Sequence, residues 1–177
     1  MRKLIADLLD MTRIESGRKH RELVEVDVAE VARRAIETML AEAAARQIEI
    51  NLHDRGVGTM VADPGELEMI LNNLVSNAVK YNKQGGRVDV SLSREAEKVI
   101  ISVADTGIGL TPENAAKLFT EFVRIHDSQT RTILGSGLGL SIVRKLALLY
   151  GGDAQVHSEP GVGSTFTVEL RDKREQK

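Results

Sequence analysis

Three short segments of the chain set glycines among polar residues: Asp105-Thr-Gly-Ile-Gly109, Gly135-Ser-Gly-Leu-Gly139 and Gly161-Val-Gly-Ser-Thr165. Glycine lets a backbone turn sharply or approach another group closely, so each segment, read alone, is equally a plain turn. The segment from Gly135 to Gly139 has the more specific context. It stands directly before a helical stretch, where backbone N–H groups and the positive end of the helix dipole form a phosphate site. It lacks the Lys-Ser/Thr of a Walker A sequence, and no strand immediately precedes it as a dinucleotide fingerprint requires. A second set is Asn73, Asn77 and Lys80, whose i, i+4, i+7 spacing places them along one edge of a helix. Asparagine in mid-helix costs propensity. The row is either a solvated face or a site where an amide oxygen holds a hard cation such as Mg²⁺ and a lysine neutralises phosphate.

These residues need a scaffold, and the hydrophobic pattern supplies one. Leu67, Ile70, Leu71, Leu74, Val75 and Ala78 form an apolar stripe beside the polar row, and Asp63-Pro64 gives that helix an N-cap acid and a proline at its first position, so it runs from there to about Tyr81. Val88, Val90 and Leu92 alternate as one strand and Val99, Ile101 and Val103 as its neighbour, joined by an antiparallel hairpin around Arg94 to Lys98. Further strands are read at Val24 to Val28, Ile48 to Leu52, Met60 to Ala62, Asp153 to Ser158 and Ser164 to Leu170. One continuous helix is read from about Val28 to Arg46, a short one from Thr111, and another after Gly139 with Leu140, Val143, Leu146 and Ala147 on one face. The stretch from Ile125 to Gly137 has little apolar periodicity and reads as a mobile loop. Strands interleaved with helices, but with hairpins present, predict an α/β (α+β) two-layer sandwich: a mixed, mainly antiparallel sheet covered on one face by helices. At the N-terminus, Leu4, Ile5, Leu8, Leu9, Met11 and Ile14 make a short amphipathic helix, and Arg18 to Arg21 a basic surface linker. A boundary is therefore expected near residue 20, with residues 1–20 as an appendage and 21–177 as the main domain.

Composition narrows the functional classes. The 177 residues, 42% hydrophobic and 28% charged, suit a single folded core. A net charge of -2 gives no electrostatic case for nucleic acid or for direct contact with an anionic membrane. The absence of cysteine excludes disulfides, thiolate zinc and cysteine nucleophiles. His20, His53, His126 and His157 lie far apart, against a histidine metal site. No apolar run reaches the roughly 20 residues that span a bilayer, and the N-terminus lacks the apolar core of a signal peptide, so a cytoplasmic location is expected.

Order and spacing then add a family resemblance. Asn73-Leu-Val-Ser-Asn77-Ala-Val-Lys80-Tyr81, Asp105-Thr-Gly-Ile-Gly109, Phe119-Thr-Glu-Phe122-Val-Arg124, Gly135-Ser-Gly-Leu-Gly139-Leu and Gly161-Val-Gly-Ser-Thr-Phe166 resemble the N, G1, F, G2 and G3 boxes of sensor histidine kinases, in the family's order over about residues 24 to 170. The resemblance implies the Bergerat fold shared with gyrase, Hsp90-type chaperones and mismatch-repair ATPases, with ATP and Mg²⁺ as ligands. It implies that Asn77 coordinates Mg²⁺, that Asn73 sits beside the γ-phosphate, that Lys80 contacts phosphate, and that Tyr81 contacts ribose or adenine. Asp105 would accept the adenine amino proton, with Gly107 and Gly109 admitting the base. Gly135, Ser136, Gly137, Leu138 and Gly139 would line the phosphates and let residues 125–134 close as an ATP lid, Thr165 would join the nucleotide contacts, and Arg124, with Arg131 less central, would neutralise the transferred phosphoryl group.

The resemblance also separates branches. The hydrolases of this superfamily carry Glu where Asn73 stands, to activate water, and an amide is a poor general base. Phosphoryl transfer to a positioned acceptor is therefore favoured over hydrolysis. None of the four histidines lies in the acceptor context His-Glu-Leu-Arg-Thr-Pro-Leu. His20 reads as a linker residue, His53 and His157 as strand-edge residues and His126 as a lid residue. Leu8-Leu-Asp-Met-Thr-Arg-Ile-Glu-Ser-Gly17 resembles the end of the second helix of the family's dimerisation and phosphotransfer domain. The expectation is a catalytic domain with a stub of that helix, part of a longer kinase in a two-component system, which phosphorylates a histidine on an absent phosphotransfer domain and through it serves a response regulator. It should not label itself. A nucleotide-binding regulatory module, and a serine kinase or ATPase of the same superfamily, stand as alternatives.

Overall fold

The computed structural model describes residues 21–120 and 137–172, together with Ile5, Leu9 and Thr12. Those last three are helical, and Ile5 and Leu9 are about half exposed. The remainder of the expected N-terminal helix, and residues 18–20 of the basic cluster, lie outside the described residues.

Arg21, read from the sequence as a surface linker residue, is anchored instead. Its guanidinium holds both oxygens of Glu66, a carboxylate only 1% exposed, at 2.7 to 3.1 Å. The backbone N–H of Glu22 donates to Asp63. Strand β1 (Val24–Asp27) follows. Asp27 caps helix α1 (Val28–Glu37) by accepting from the N–H of Glu30, 3.0 Å.

The single helix expected to Arg46 is two. Thr38 ends α1 and returns its hydroxyl to the carbonyl of Ala35, while the N–H of Met39 bonds back three residues to Ile36. That tightened turn breaks the helical register. Helix α2 (Leu40–Ala45) then follows, and Met39 and Ala43 lie in the core.

Strands β2 (Glu49–Asp54) and β3 (Thr59–Ala62) lead to helix α3 (Pro64–Lys80). The start of α3 is as the sequence predicts: Asp63 accepts from the N–H of Glu66 and Pro64 occupies the first turn. Strands β4 (Arg87–Glu95) and β5 (Lys98–Asp105) form the expected hairpin, turning at Ala96 and Glu97. Short helix α4 (Pro112–Lys117), helix α5 (Gly139–Leu149) and strands β6 (Asp153–Glu159) and β7 (Gly163–Arg171) complete the described chain.

The main sheet has the order β2-β4-β5-β7-β6, with β2 parallel to β4 and every other pair antiparallel. The β1 and β3 strands, only four residues each, do not join it. They pair with one another in a separate antiparallel ribbon, which Arg94 and Asp172 fasten to the main sheet. Arg94 donates to the carbonyls of Val57 and Thr59 and to Asp172, which accepts in turn from the N–H of Val61. On one face of the main sheet, Val88, Val90, Leu92, Val99, Ile101 and Val103 are fully buried. Against that face pack α1, α3 and α5, with α3 in the middle, its predicted stripe wholly buried. The opposite face presents Ser91, Ser93, Ser102, Thr165 and Thr167, all partly exposed. This is the predicted two-layer sandwich.

Candidate functional site

The polar row of α3 lies at the edge of the helical layer. Asn73, Asn77 and Lys80 are all half-buried there, and Tyr81 caps the helix by donating its N–H to the carbonyl of Asn77, 2.9 Å. The Asn73 amide donates to the carbonyl of Met69, 2.8 Å, one turn back on its own helix. Its oxygen packs against Gly139 so closely that a Cβ on Gly139 would collide with it. Asn73 thus joins α3 to the first residue of α5. Leu138 before it is fully buried and offers α5 no capping side chain.

The C-terminal end of α3 is held by a residue that the sequence reading passed over. Arg46, just after α2, donates to the carbonyls of Val79, Lys80 and Asn82. A guanidinium at a helix C-terminus satisfies orphan carbonyls and complements the dipole. The only trace of this in sequence is a basic residue one turn ahead of a strand.

Asp105 ends β5. Its carboxylate accepts from the N–H of Gly107, 2.8 Å, and from that of Ser164. Burial pushes the carboxyl up to about 6, and those two N–H groups offset only part of the shift. Gly107 has no room for a side chain: a Cβ would run into the carbonyl of Tyr81 and stand 2.7 Å from the Asp105 carboxylate. Gly109 has φ +62, and a Cβ there would strike the carbonyl of Glu159. Both glycines are therefore demanded by the protein's own backbone, before any base is considered.

The register of β7 divides the remaining candidates. Ser164 stands opposite Asp105, with its hydroxyl 2.8 Å from that of Ser158. Thr165 stands opposite Ala104 and His157, on the other face of the sheet. The strand's alternation thus brings Ser164, not the predicted Thr165, to the side of Asp105. His53 and His157 are exposed on β2 and β6, the two edge strands, as expected. Gly137 is described, half-buried with φ +73. Arg124, His126, Arg131, Gly135 and Ser136, with the whole expected lid at 125–134, lie outside the described residues.

Among the described residues no three carboxylate, histidine or cysteine groups converge to hold a metal. The chemistry of the donors suits Mg²⁺ brought with a polyphosphate, since Mg²⁺ keeps water and phosphate oxygens and takes few protein ligands.

A polar helical row, a half-buried aspartate at a strand end and glycine-bounded loops on a helix-covered mixed sheet describe a nucleotide-binding class. The model of the "Histidine kinase-, DNA gyrase B-, and HSP90-like ATPase" family matches residues 62–174, and the chain belongs to that family. Within it the chain is an ATP-binding catalytic domain of the sensor histidine kinase type. The circadian input-output histidine kinase CikA of Synechococcus elongatus is 37% identical over 169 residues, which cover 94% of this chain and 22% of that protein. The sensor-like histidine kinase SenX3 of Mycobacterium tuberculosis is 34% identical over 167 residues, 94% of this chain and 41% of that one. The chain thus spans about a fifth to two fifths of the length of these curated relatives. Among solved structures, full-length ShkA in complex with AMPPNP superposes with a TM-score of 0.83 at 34% identity, covering 95% of this chain and 35% of ShkA. The nucleotide-free catalytic domain of histidine kinase ThkA gives 0.74 at 25% identity, covering 85% of this chain and 96% of that domain. No described helix is long and apolar enough to cross a membrane.

Proposed function

We propose that the chain binds Mg²⁺-ATP beside α3, Asp105 and the start of α5, and transfers its γ-phosphoryl group to a histidine on a separate phosphotransfer domain, from which a response regulator is served. In this reading residues 1–20 are a stub of that domain's second helix and 21–177 the catalytic domain. The observation that carries it is the placement of Asp105: a desolvated carboxylate, oriented by two backbone N–H groups, lies just beyond the C-terminal end of the Asn73, Asn77, Lys80 row.

Asp105 accepts the adenine amino proton, and Tyr81 borders the ribose or base. Ser164, on the Asp105 side of β7, joins the nucleotide contacts in place of Thr165. Asn77 supplies an amide oxygen to Mg²⁺, which when bound neutralises phosphate charge. Asn73 and Lys80 face the phosphates, Gly135, Ser136, Gly137, Leu138 and Gly139 line them, and Arg124 offsets charge on the transferred group. The acceptor imidazole nitrogen bonds to the γ-phosphorus as the bond to the β,γ-bridging oxygen breaks, and ADP leaves with that electron pair. Catalysis is positioning and charge neutralisation. Asn73 does not serve as a base for water, since an amide has no basic lone pair to take its proton.

The test supplies γ-labelled ATP to this chain with and without an added phosphotransfer domain that carries its acceptor histidine. Label should enter the added domain and not this chain. Label on this chain, or steady release of inorganic phosphate with none on the added domain, would refute the transfer reading.

A further inference from the structure

The two halves of the proposed nucleotide site belong to different elements, and one buried side chain spans the gap between them. Asn82 follows Tyr81, the C-cap of α3, and is only 4% exposed. Its amide nitrogen donates to the carbonyl of Arg87 at the start of β4, 3.0 Å. The amide oxygen accepts from the N–H of Lys83, 3.0 Å, and from the hydroxyl of Thr106, 3.3 Å. Its own carbonyl receives the Arg46 guanidinium. Thr106 is the residue after Asp105, and its oxygen also accepts from the N–H of Arg87, 2.8 Å. Alongside, the N–H of Ile108 donates to the carbonyl of Tyr81, 3.1 Å, and Gly107 packs on that same carbonyl.

We infer that Asn82 is a positioning residue for adenine selectivity: it fixes the loop that leaves β5 at Asp105 against the end of the helix that carries Asn73, Asn77 and Lys80. This rests on the nucleotide reading above and deepens it. A ligand held by its phosphates at α3 meets Asp105 at hydrogen-bonding distance only if that spacing is fixed, because a polar contact weakens steeply with misplacement. Buried amides with every polar atom engaged specify one arrangement of the segments they join. Asn82 has that property, and its side chain makes its hydrogen bonds to Lys83, Arg87 and Thr106, none of them a position assigned to the nucleotide.

The test compares affinities for ADP and for inosine diphosphate, which has a ring oxo group where adenine has its amino group, in wild type, Asn82→Ala and Thr106→Val, with thermal midpoints recorded in parallel. Thr106→Val removes the same link from the other side with an isosteric residue, and it decides the matter should Asn82→Ala not fold. Wild type should favour ADP by about tenfold or more, the gain of one hydrogen bond to a charged group. In the variants that ratio should fall towards unity while inosine diphosphate binds about as in wild type. A folded variant that keeps the wild-type ratio, whatever its thermal midpoint, overturns the positioning role and leaves the nucleotide reading intact. Wild type that binds neither nucleotide, or does not distinguish them, overturns the reading of Asp105 and this inference with it.

Discussion

Asp105 is asked to keep a negative charge where little water reaches it. Its folded carboxyl takes up a proton near pH 6, whereas in the unfolded chain it does so near its ordinary value of 3.8. Between those values the folded state binds more protons than the unfolded one, so this residue's contribution to stability is full below the lower value and is lost as pH rises through the upper. That separation corresponds to at most about 3 kcal/mol. Denaturation of wild type and Asp105→Asn at several pH values checks this: wild type should gain on the variant as pH falls from 7 to 4, and a constant difference would contradict it. The type and chain position of Asp105 were legible from the motif. Ser164 was not, because a strand's facing depends on parity, and a displacement of one residue exchanges the two faces. Only the register with β5 reveals that Ser164, and not Thr165, stands beside Asp105.

At the scale of elements, α3 and α5 are joined at both ends of their contact. Asn73 meets Gly139 at one end. At the other, the Tyr150 hydroxyl donates to Glu66, 2.7 Å, and accepts from the N–H of Asp63, 3.0 Å, while Arg21 lies over the Tyr150 ring at 4.7 Å. Burial and the adjoining Glu66 carboxylate hold the Tyr150 phenol above its ordinary range, and the same carboxylate outweighs burial to raise Arg21. Removing one partner of such a pair strands a buried charge, which costs more than the pair itself contributes. Arg21 retains some exposure, so Arg21→Ala should cost about 2 kcal/mol, roughly 6 °C in thermal midpoint. Adding Glu66→Gln should restore much of it, and equal midpoints for Arg21→Ala and wild type would contradict this account. The α3 start and stop were readable because capping is local: Asp63, Pro64 and the apolar stripe lie within one segment. The Arg21–Glu66–Tyr150 cluster joins residues 45 and 84 positions apart, and no local pattern records such a match.

For the whole molecule, the layering followed from periodicity, since each strand alternates and each helix has a single apolar face. The separate β1–β3 ribbon did not, because four-residue strands carry too few alternations to say which sheet they join, and its attachment runs through Arg94 and Asp172, 78 positions apart. The break after Thr38 was hidden by an Ala- and Glu-rich stretch whose propensity favours one long helix. What the layers achieve is to bring α3, the end of β5 and the start of α5 together around the residues assigned to nucleotide. The most direct test of that assignment is calorimetric titration of ADP and a non-hydrolysable ATP analogue, with and without Mg²⁺, into wild type and Asp105→Asn. Wild type should bind both, with Mg²⁺ strengthening the triphosphate, and Asp105→Asn should weaken ADP by about tenfold to a hundredfold. No binding by wild type at millimolar nucleotide, or equal binding by the two proteins, would contradict it.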